Sequence, residues 1–221
     1  MQYAVLEPNG KRQTWVQCYC GCISHRGEFD KSYFNEDYKK EYGDTKGIKE
    51  RMEFPFRVYG GIIEDATYGR KFLDVGLLVP HAIKYMTERG WVSTGIDLIE
   101  NEYKTGDFET AEFTEKFDLI HMGSVLESFN DPLKAIDKCY GMLNDGGVLF
   151  VETPCPDLIF MTGISDFGHW DSREKKILIS QNMLVDHCKK AGFKVMIARR
   201  NINQRYTHWN NLHLLLQKGS L

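Results

Sequence analysis

Two acidic residues at the ends of two apolar runs are the groups in this chain best placed to do chemistry. One apolar run ends in Asp74-Val75-Gly76, and a second ends at Asp97 after a segment long enough for a helix. This order is typical of a site that holds a nucleotide-type ligand at the edge of a parallel sheet. The loop after Gly76, which is glycine-rich in such sites, instead contains Leu78 and Pro80. The two acidic residues of such a ligand site are therefore present, whereas the loop after the first of them is altered.

The elements that must position these acids alternate between strand and helix from Lys71 onward. Short apolar runs predict strands, and apolar residues at helical spacing predict helices that glycines close. A third strand near Gly106 has room only to be short. Because no helix separates the last two strands, we expect them to form a hairpin with an antiparallel edge. The strands are predicted at 72–75, 91–96, 117–122, 148–151, 194–198 and 212–217, and the helices begin near Pro80, Asp131 and Ser180.

Composition limits the classes of protein to which the chain can belong. Its 221 residues, 42% of them hydrophobic and 27% charged, can bury a full core. The formal net charge of -3 argues against a general nucleic-acid surface. No apolar run approaches the ~18 residues of a membrane span, and the first residues lack the pattern of a signal peptide. We expect a cytoplasmic protein with no membrane and no nucleic-acid partner.

The order of motifs from Lys71 to the C-terminus resembles the class I S-adenosylmethionine-dependent methyltransferases, in particular their small-molecule branch. The resemblance implies an α/β fold, a Rossmann-like three-layer sandwich with a mostly parallel seven-stranded sheet and an antiparallel C-terminal hairpin strand. It also implies S-adenosylmethionine as cofactor and a small-molecule acceptor. The motifs are Phe72-Leu73-Asp74-Val75-Gly76, Gly95-Ile96-Asp97-Leu98, Gly106-Asp107-Phe108, the run from Phe117 to Glu127, Leu143-Asn144-Asp145-Gly146-Gly147-Val148-Leu149 and Ala191-Gly192-Phe193.

The same resemblance divides the chain into two parts. Residues 1–70 are interpreted as an N-terminal cap that contains aromatic residues and cysteines, and residues 71–221 as the methyltransferase domain. Periodicity in the first part is weak, and its rings alternate with charges and glycines. We therefore expect the cap to lie across the edge of the sheet that holds the ligand.

Cofactor-binding roles follow from the resemblance. Asp97 would accept hydrogen bonds from both ribose hydroxyls, or it could instead cap a helix or turn. Asp107 would accept from the adenine amino group, or it could belong to a simple Gly-Asp turn. The aromatic rings of the cap would cover the cationic sulfonium side, or would form a cap without ligand contact. The full predicted set is Tyr33, Tyr38, Asp74, Gly76, Asp97, Leu98, Asp107, Phe108 and Met122.

The altered loop leaves two alternatives open. In the family, missing side chains let the backbone approach the methionine part of the cofactor. Here Leu78 adds a side chain, and Pro80 removes an amide donor. Either the loop takes another path, or cofactor binding is weak or lost. The second case predicts an inactive methyltransferase-like binding or scaffold protein, and it stands as the alternative function.

Methyl transfer is an in-line displacement, so positioning carries much of the work, and a base is needed only for an acceptor that is protonated at neutral pH. His169 is the catalytic candidate because histidine titrates near neutrality and lies in the segment where this branch binds acceptors. It could equally be a structural histidine beside Trp170. Glu127 could lie near the methyl group or fix a loop, and His121 is interpreted as a satisfied core residue. Transfer to oxygen, nitrogen or carbon stays open.

The cysteines are unevenly distributed. Cys139, Cys155 and Cys188 are interpreted as small apolar core residues, whereas Cys18, Cys20 and Cys22 lie together. A zinc knuckle needs two pairs of ligands with wider spacing. Cys-x-Cys-x-Cys does not make two such pairs, so no metal is predicted.

Overall fold

The described residues of the computed structural model are 1–7, 10–43, 47–163, 167, 169–201 and 211–219. They form eleven strands and six α-helices. The strands are β1 (Gln2–Leu6), β2 (Arg12–Gln17), β3 (Ile23–His25), β4 (Lys71–Val75), β5 (Val92–Asp97), β6 (Lys104–Thr105), β7 (Phe117–Gly123), β8 (Leu143–Pro154), β9 (Ile177–Leu178), β10 (Phe193–Asn201) and β11 (Asn211–Lys218). The helices are α1 (Glu36–Gly43), α2 (Ile48–Ala66), α3 (His81–Glu88), α4 (Pro132–Met142), α5 (Ile159–Thr162) and α6 (Gln181–Lys190).

Seven strands form the large sheet, in the order β10-β11-β8-β7-β4-β5-β6. The strands from β4 to β8 pair in parallel with one another, whereas β11 is antiparallel to both β8 and β10. The predicted mostly parallel sheet and its C-terminal hairpin are confirmed, and the third strand of this sheet, β6, has only two residues. Since parallel strands share one direction, the carboxyl ends of β4, β5 and β7 meet at a single edge.

Apolar residues on the two faces of this sheet build two cores, so the molecule has three layers. Leu73 packs in the core that also contains Ile136 of α4 and Leu184 of α6. Its neighbour Phe72 points to the opposite face, where it packs with Phe56 of α2. Successive residues of a strand face opposite sides, which explains why an uninterrupted apolar run fills both cores.

Two helices begin where the sequence predicts. The side chain of Asp131 accepts a hydrogen bond from the Lys134 amide before α4, and Ser180 accepts one from the Met183 amide before α6. α4 ends at Met142, and Leu143 already belongs to β8, so the Asn-Asp-Gly-Gly stretch lies within the start of that strand.

A second, antiparallel sheet that the sequence did not predict has the order β1-β2-β3-β9. Trp15 of β2 is fully buried in it and contacts Trp170, which precedes β9. The segment around β9 therefore completes a sheet that begins in the first residues. α2 also lies before the expected boundary at residue 70 while packing on the large sheet, and the division into 1–70 and 71–221 stays a proposal. Among the described residues, no helix has the length and apolarity that a membrane crossing requires.

Candidate active site

Asp97 occupies the carboxyl end of β5, beside the loop that follows β4. Its Oδ2 accepts a hydrogen bond from the Leu78 amide at 2.8 Å, and its Oδ1 accepts one from the Ile99 amide at 2.9 Å. The loop is held at its start by a bond from the Gly76 amide to the Ile96 carbonyl. β4 and β5 are adjacent and parallel, so Asp74, Gly76 and Asp97 are brought to one edge as the sequence predicts.

The Asp97 carboxylate fits a ribose diol. An ionised carboxylate offers about four acceptor positions, and the two backbone amides use one on each oxygen, which leaves a position on each for a hydroxyl. The side chain is only half-buried, and so is Leu98. Burial raises the pKa of Asp97, the two amides oppose that rise, and the nearby charge of Asp74 adds to it. A pair of hydroxyl donors would stabilise the charged form.

Two residues near this edge of the sheet have left-handed backbone conformations. Leu78 has a φ of 46° and Ser124, which follows β7, has a φ of 53°; they are the non-glycine residues with positive φ in the described part of the chain. Such strain costs on the order of 1–3 kcal/mol and concentrates at functional sites. The Leu78 conformation keeps an amide directed at Asp97 without a glycine. The altered loop therefore still supplies a backbone donor.

The space beside Gly76 is filled by Val125, which follows β7. A methyl group built on Gly76 would lie 2.7 Å from Cγ2 of Val125, so only glycine fits there. A cleft of about 140 Å³ opens on the outer side of the loop, between Leu78, Pro80 and Tyr103.

Asp107 and Phe108 follow β6, where the resemblance places adenine recognition. Oδ1 of Asp107 accepts from the Glu109 amide at 2.9 Å, and Oδ2 accepts from Nζ of Lys31 at 2.6 Å. Lys31 also lies 2.6 Å from Oε2 of Glu109. The Phe108 ring stacks on Phe129 with centroids 5.8 Å apart. Lys31 of the cap thus binds the Asp107 carboxylate, which the resemblance predicts to bind adenine.

The pKa values in this contact follow from its geometry. Burial acts to lower the pKa of Lys31, but its hydrogen bonds to Asp107 and Glu109 raise it overall. Burial acts to raise the pKa of Glu109, and the Lys31 hydrogen bond and two backbone amides lower it overall. The Lys31 side chain is 20% exposed. The contact is therefore a partly buried ion pair that links the cap to the sheet edge.

Tyr33 and Tyr38 belong to an aromatic group in the cap. Their ring centroids are 5.3 Å apart, and Tyr38 lies 4.6 Å from the ring of Tyr42. The Arg173 guanidinium lies 4.8 Å from the Tyr33 ring, and burial raises the pKa of the Tyr38 phenol. The cap rings therefore contact the segment between β8 and β9, where the acceptor was expected.

Glu127 is a buried carboxyl group just after β7. Its Oε2 accepts from Oγ1 of Thr153 at 3.0 Å, whereas its Oε1 is buried and has no hydrogen-bond partner among the described residues. Burial raises the pKa of Glu127, and the nearby charge of Lys175 opposes the rise. Glu127 lies two residues beyond Val125, which touches Gly76, so a buried acid adjoins the predicted cofactor edge.

Two predicted site residues lie in apolar surroundings. His169 is buried with its ring 5.1 Å from Phe167, which in turn contacts Trp170. Met122 is fully buried in the core between the sheet and α4. Neither placement tests the roles proposed for them, which remain predictions.

A row of largely buried ionisable side chains crosses the large sheet from Asp74, and no sequence pattern predicted it. Nδ1 of His121 lies 2.7 Å from Oδ1 of Asp74, and its Nε2 lies 3.2 Å from Oε1 of Glu152. Glu152 Oε2 lies 3.1 Å from Nε2 of His213, whose Nδ1 lies 3.1 Å from the Tyr59 hydroxyl. Only the strand register, which is set by tertiary pairing, aligns these residues.

The pKa values of the two central groups are shifted in opposite directions. Burial acts to lower the pKa of His121, but its hydrogen bonds to Asp74 and Glu152 outweigh that effect and raise it to about 9. Burial acts to raise the pKa of Glu152, and the two histidines lower it to about 2. His121 is therefore a buried cation between two carboxylates at neutral pH, and more than the satisfied core residue expected from the sequence.

The cysteines of the first cluster lie in the turn between β2 and β3. Cys18 and Cys20 form a disulfide, and Cys22 is buried with a free thiol. All three sulfur atoms lie within 4.8 Å of one another. A sulfur in a disulfide is not a thiolate ligand, so this form of the turn offers one free thiol.

Comparison with known proteins agrees with this arrangement. Residues 49–197, more than half of the chain, match the family model described as a methyltransferase domain. A ubiquinone biosynthesis O-methyltransferase of Haemophilus ducreyi (strain 35000HP / ATCC 700724) is 33% identical over 39% of this chain and 46% of that protein. One from Histophilus somni (strain 2336) is 29% identical over 50% of this chain and 56% of that protein. The chain thus spans about half the length of these curated relatives.

Solved structures show the same fold. A 1,6-didemethyltoxoflavin-N1-methyltransferase of Burkholderia thailandensis, crystallised with S-adenosylhomocysteine, has a TM-score of 0.67 at 10% identity and covers 99% of both chains. Magnesium protoporphyrin IX methyltransferase from Synechocystis PCC 6803 has a TM-score of 0.64 at 12% identity, with coverage of 85% of this chain and 97% of that chain. At such identities the likeness concerns the fold. With the match of the family model, it establishes that this chain belongs to the class I S-adenosylmethionine-dependent methyltransferases.

Proposed function

We propose that this chain transfers a methyl group from S-adenosylmethionine to a hydroxyl group of a small-molecule acceptor. The observation that carries the proposal is the Asp97 carboxylate, which ends β5 with one backbone amide on each oxygen and an acceptor position left on each. The curated relatives named as O-methyltransferases support oxygen as the accepting atom. A cytoplasmic location and a small-molecule partner belong to the same proposal.

The residues of the sheet edge have distinct roles in this proposal. When bound, S-adenosylmethionine supplies a methyl group on a positively charged sulfur. Asp97 accepts the ribose hydroxyls, and Leu98 and Phe108 pack against the adenine. Asp107 accepts a hydrogen bond from the adenine amino group once Lys31 no longer binds Oδ2 of Asp107. Asp74 contributes negative charge close to Asp97, as its effect on the Asp97 pKa indicates.

Two groups are candidates for taking the proton of the accepting hydroxyl. His169 has the ring chemistry for a base near neutrality, but its ring lies against Phe167. Glu127 lies beside the edge, and its buried Oε1 has no partner among the described residues. A buried polar atom without a partner is costly unless a ligand satisfies it. We therefore assign Glu127 to the acceptor hydroxyl, with His169 as the competing candidate.

The cap completes the proposed site. Lys31 and the rings of Tyr33 and Tyr38 connect residues before the boundary at residue 70 with the sheet edge and with Arg173. Such contacts exclude water from the reacting groups when closed. We propose that the cap opens to admit the ligands, because Lys31 of the cap occupies Oδ2 of Asp107.

The test is calorimetric titration of the purified chain with S-adenosylmethionine and with S-adenosylhomocysteine. We expect both to bind, and Asp97→Ala to weaken binding at least tenfold because the diol loses its acceptors. Asp145→Ala is the matched control, since Asp145 is a half-exposed carboxylate paired with Lys218 at the start of β8. A wild-type chain that binds neither compound would contradict the proposal and favour the alternative, a methyltransferase-like binding protein.

Transfer itself is measured with S-adenosylmethionine labelled in its methyl group. A panel of phenols, sugars and amines of similar size distinguishes oxygen from nitrogen acceptors. Label appearing only on amines would contradict the hydroxyl part of the proposal while leaving cofactor binding intact.

A further inference from the structure

We propose that His121, Glu152 and His213 are positioning residues that hold the Asp74 carboxylate in place as an acceptor for the cationic amino-acid end of the cofactor. This inference rests on the proposed function and extends it to residues that lie behind the site. The four residues come from four consecutive strands of the large sheet: Asp74 from β4, His121 from β7, Glu152 from β8 and His213 from β11.

The contacts between these four residues are continuous and largely buried. Asp74 is 2% exposed, His121 5% and His213 4%, and the Glu152 side chain is 13% exposed. Each neighbouring pair, from Asp74 through His121 and Glu152 to His213, is joined at 2.7 to 3.2 Å. The hydroxyl of Tyr59 in α2 contacts His213 at the other end. The position of each side chain therefore depends on its neighbours.

Such a row of side chains is not explained by stability. Replacing buried ion pairs with well-packed apolar residues is often neutral or stabilising. The rings of Phe56 and Phe150 surround His121 at 4.8 and 5.1 Å, so this part of the core is otherwise apolar and would accept an apolar side chain. We infer that the charges are kept for what they do to Asp74.

Asp74 is the residue of these four that lies nearest the site, and it can accept a further hydrogen bond. Oδ1 of Asp74 contacts His121, whereas Oδ2 is buried and without a hydrogen-bond partner among the described residues. Asp74 precedes Gly76 by two residues, and its charge acts on Asp97. A buried carboxylate with an unsatisfied oxygen is a strong acceptor for an ammonium group. The amino-acid portion of the cofactor carries such a group.

His121 fixes the orientation of this carboxylate. A histidine protonated on both nitrogens donates to both of its neighbours, so its Nδ1 holds Oδ1 of Asp74 while its Nε2 is held by Glu152. This arrangement leaves Oδ2 of Asp74 to accept from the ammonium group. Without the His121 contact, the Asp74 side chain would lose that orientation, whereas the adenosine contacts of Asp97 would be unchanged.

The experiment compares two ligands that differ only in the amino-acid portion. Calorimetry measures the affinity of the full chain for S-adenosylhomocysteine and for 5′-methylthioadenosine, which lacks the ammonium group. For His121→Gln we expect a loss of at least tenfold for S-adenosylhomocysteine and a change of less than twofold for 5′-methylthioadenosine. His187→Gln is the matched control, because His187 forms a half-exposed pair with Asp137 at 2.8 Å. It should change neither affinity.

A second variant covers the case in which His121→Gln does not fold. His213→Gln removes one donor from Glu152 and leaves Asp74 and His121 in place, so we expect a smaller, two- to fivefold loss that is again confined to S-adenosylhomocysteine. Equal losses for both ligands, or no loss in any folded variant, would overturn the inference. A wild-type chain that binds 5′-methylthioadenosine as tightly as S-adenosylhomocysteine would overturn it too, while leaving the proposed adenosine site standing.

Discussion

Nζ of Lys31 lies 2.6 Å from Oδ2 of Asp107, so a residue of the N-terminal cap occupies the carboxylate that the family uses for adenine. The other oxygen of Asp107 is bonded to the Glu109 amide. We propose that adenine and Lys31 compete for this atom, and that the contact between Lys31 and Asp107 breaks when the cofactor binds.

This competition predicts that Lys31→Met binds S-adenosylhomocysteine three- to tenfold more tightly than the wild-type chain, since no ion pair has to be broken. Lys40→Met is the control, because Lys40 is exposed and pairs only weakly with Asp37 at 3.5 Å. Calorimetric titration measures both variants. Weaker binding by Lys31→Met would mean that Lys31 holds the cap over the ligand instead of competing with it.

The His121 contacts predict how stability depends on pH. The pKa of His121 is raised from 6.5 to about 9, so its ion pairs contribute fully below about pH 6.5, and that contribution is lost as the pH rises through 9. The pKa of Glu152 is lowered to about 2, so its contribution is present above its ordinary pKa of 4.5 and is lost as the pH falls through 2. We expect urea unfolding to show a falling free energy between pH 7 and 10.

His121→Gln should flatten this alkaline fall and lower the free energy of unfolding at pH 7 by about 3 kcal/mol, because breaking one side of a buried pair is strongly destabilising. His187→Gln should change it by less than about 1 kcal/mol, as is usual for exposed pairs. An unchanged alkaline fall in a folded His121→Gln would assign the titration to another group.

Glu127 and His169 can be separated by turnover. If Glu127 takes the acceptor proton, Glu127→Gln lowers kcat at least a hundredfold while the affinity for S-adenosylhomocysteine stays within twofold. His169→Ala then changes kcat only modestly. Labelled methyl transfer over a range of pH measures both variants, with Glu115→Gln, at a half-exposed surface position, as the control. The reverse ranking would return the role of base to His169.

The loop after β4 offers a test of backbone strain. Leu78→Gly relieves the left-handed φ of 46°, which costs a leucine about 1–2 kcal/mol, but it adds entropy to the unfolded chain. These effects nearly cancel, so we expect the unfolding free energy to change by less than about 1 kcal/mol, with Asp97 still bonded. Leu78→Pro removes the amide and cannot take this φ, and it should weaken S-adenosylhomocysteine binding at least tenfold.

The sequence determined the frame of this protein. The apolar runs that end in Asp74 and Asp97, the caps at Asp131 and Ser180 and the absence of a helix between the last two strands are local or periodic features, because each follows from the conformations that neighbouring residues prefer. They were enough to predict the parallel sheet, the antiparallel hairpin and the position of Asp97.

Only the tertiary structure decided what surrounds that frame. Lys31 reaches Asp107 across 76 positions of sequence, and His121 meets Asp74 and Glu152 through the pairing of strands that the chain order does not place side by side. The small sheet likewise forms only when β9 pairs with β3. Contacts of this kind leave no periodic trace in a sequence, since they depend on strand order and register. The aspartate at the end of β5 could therefore be read from the chain, but the lysine and the buried histidine that control its neighbours could not.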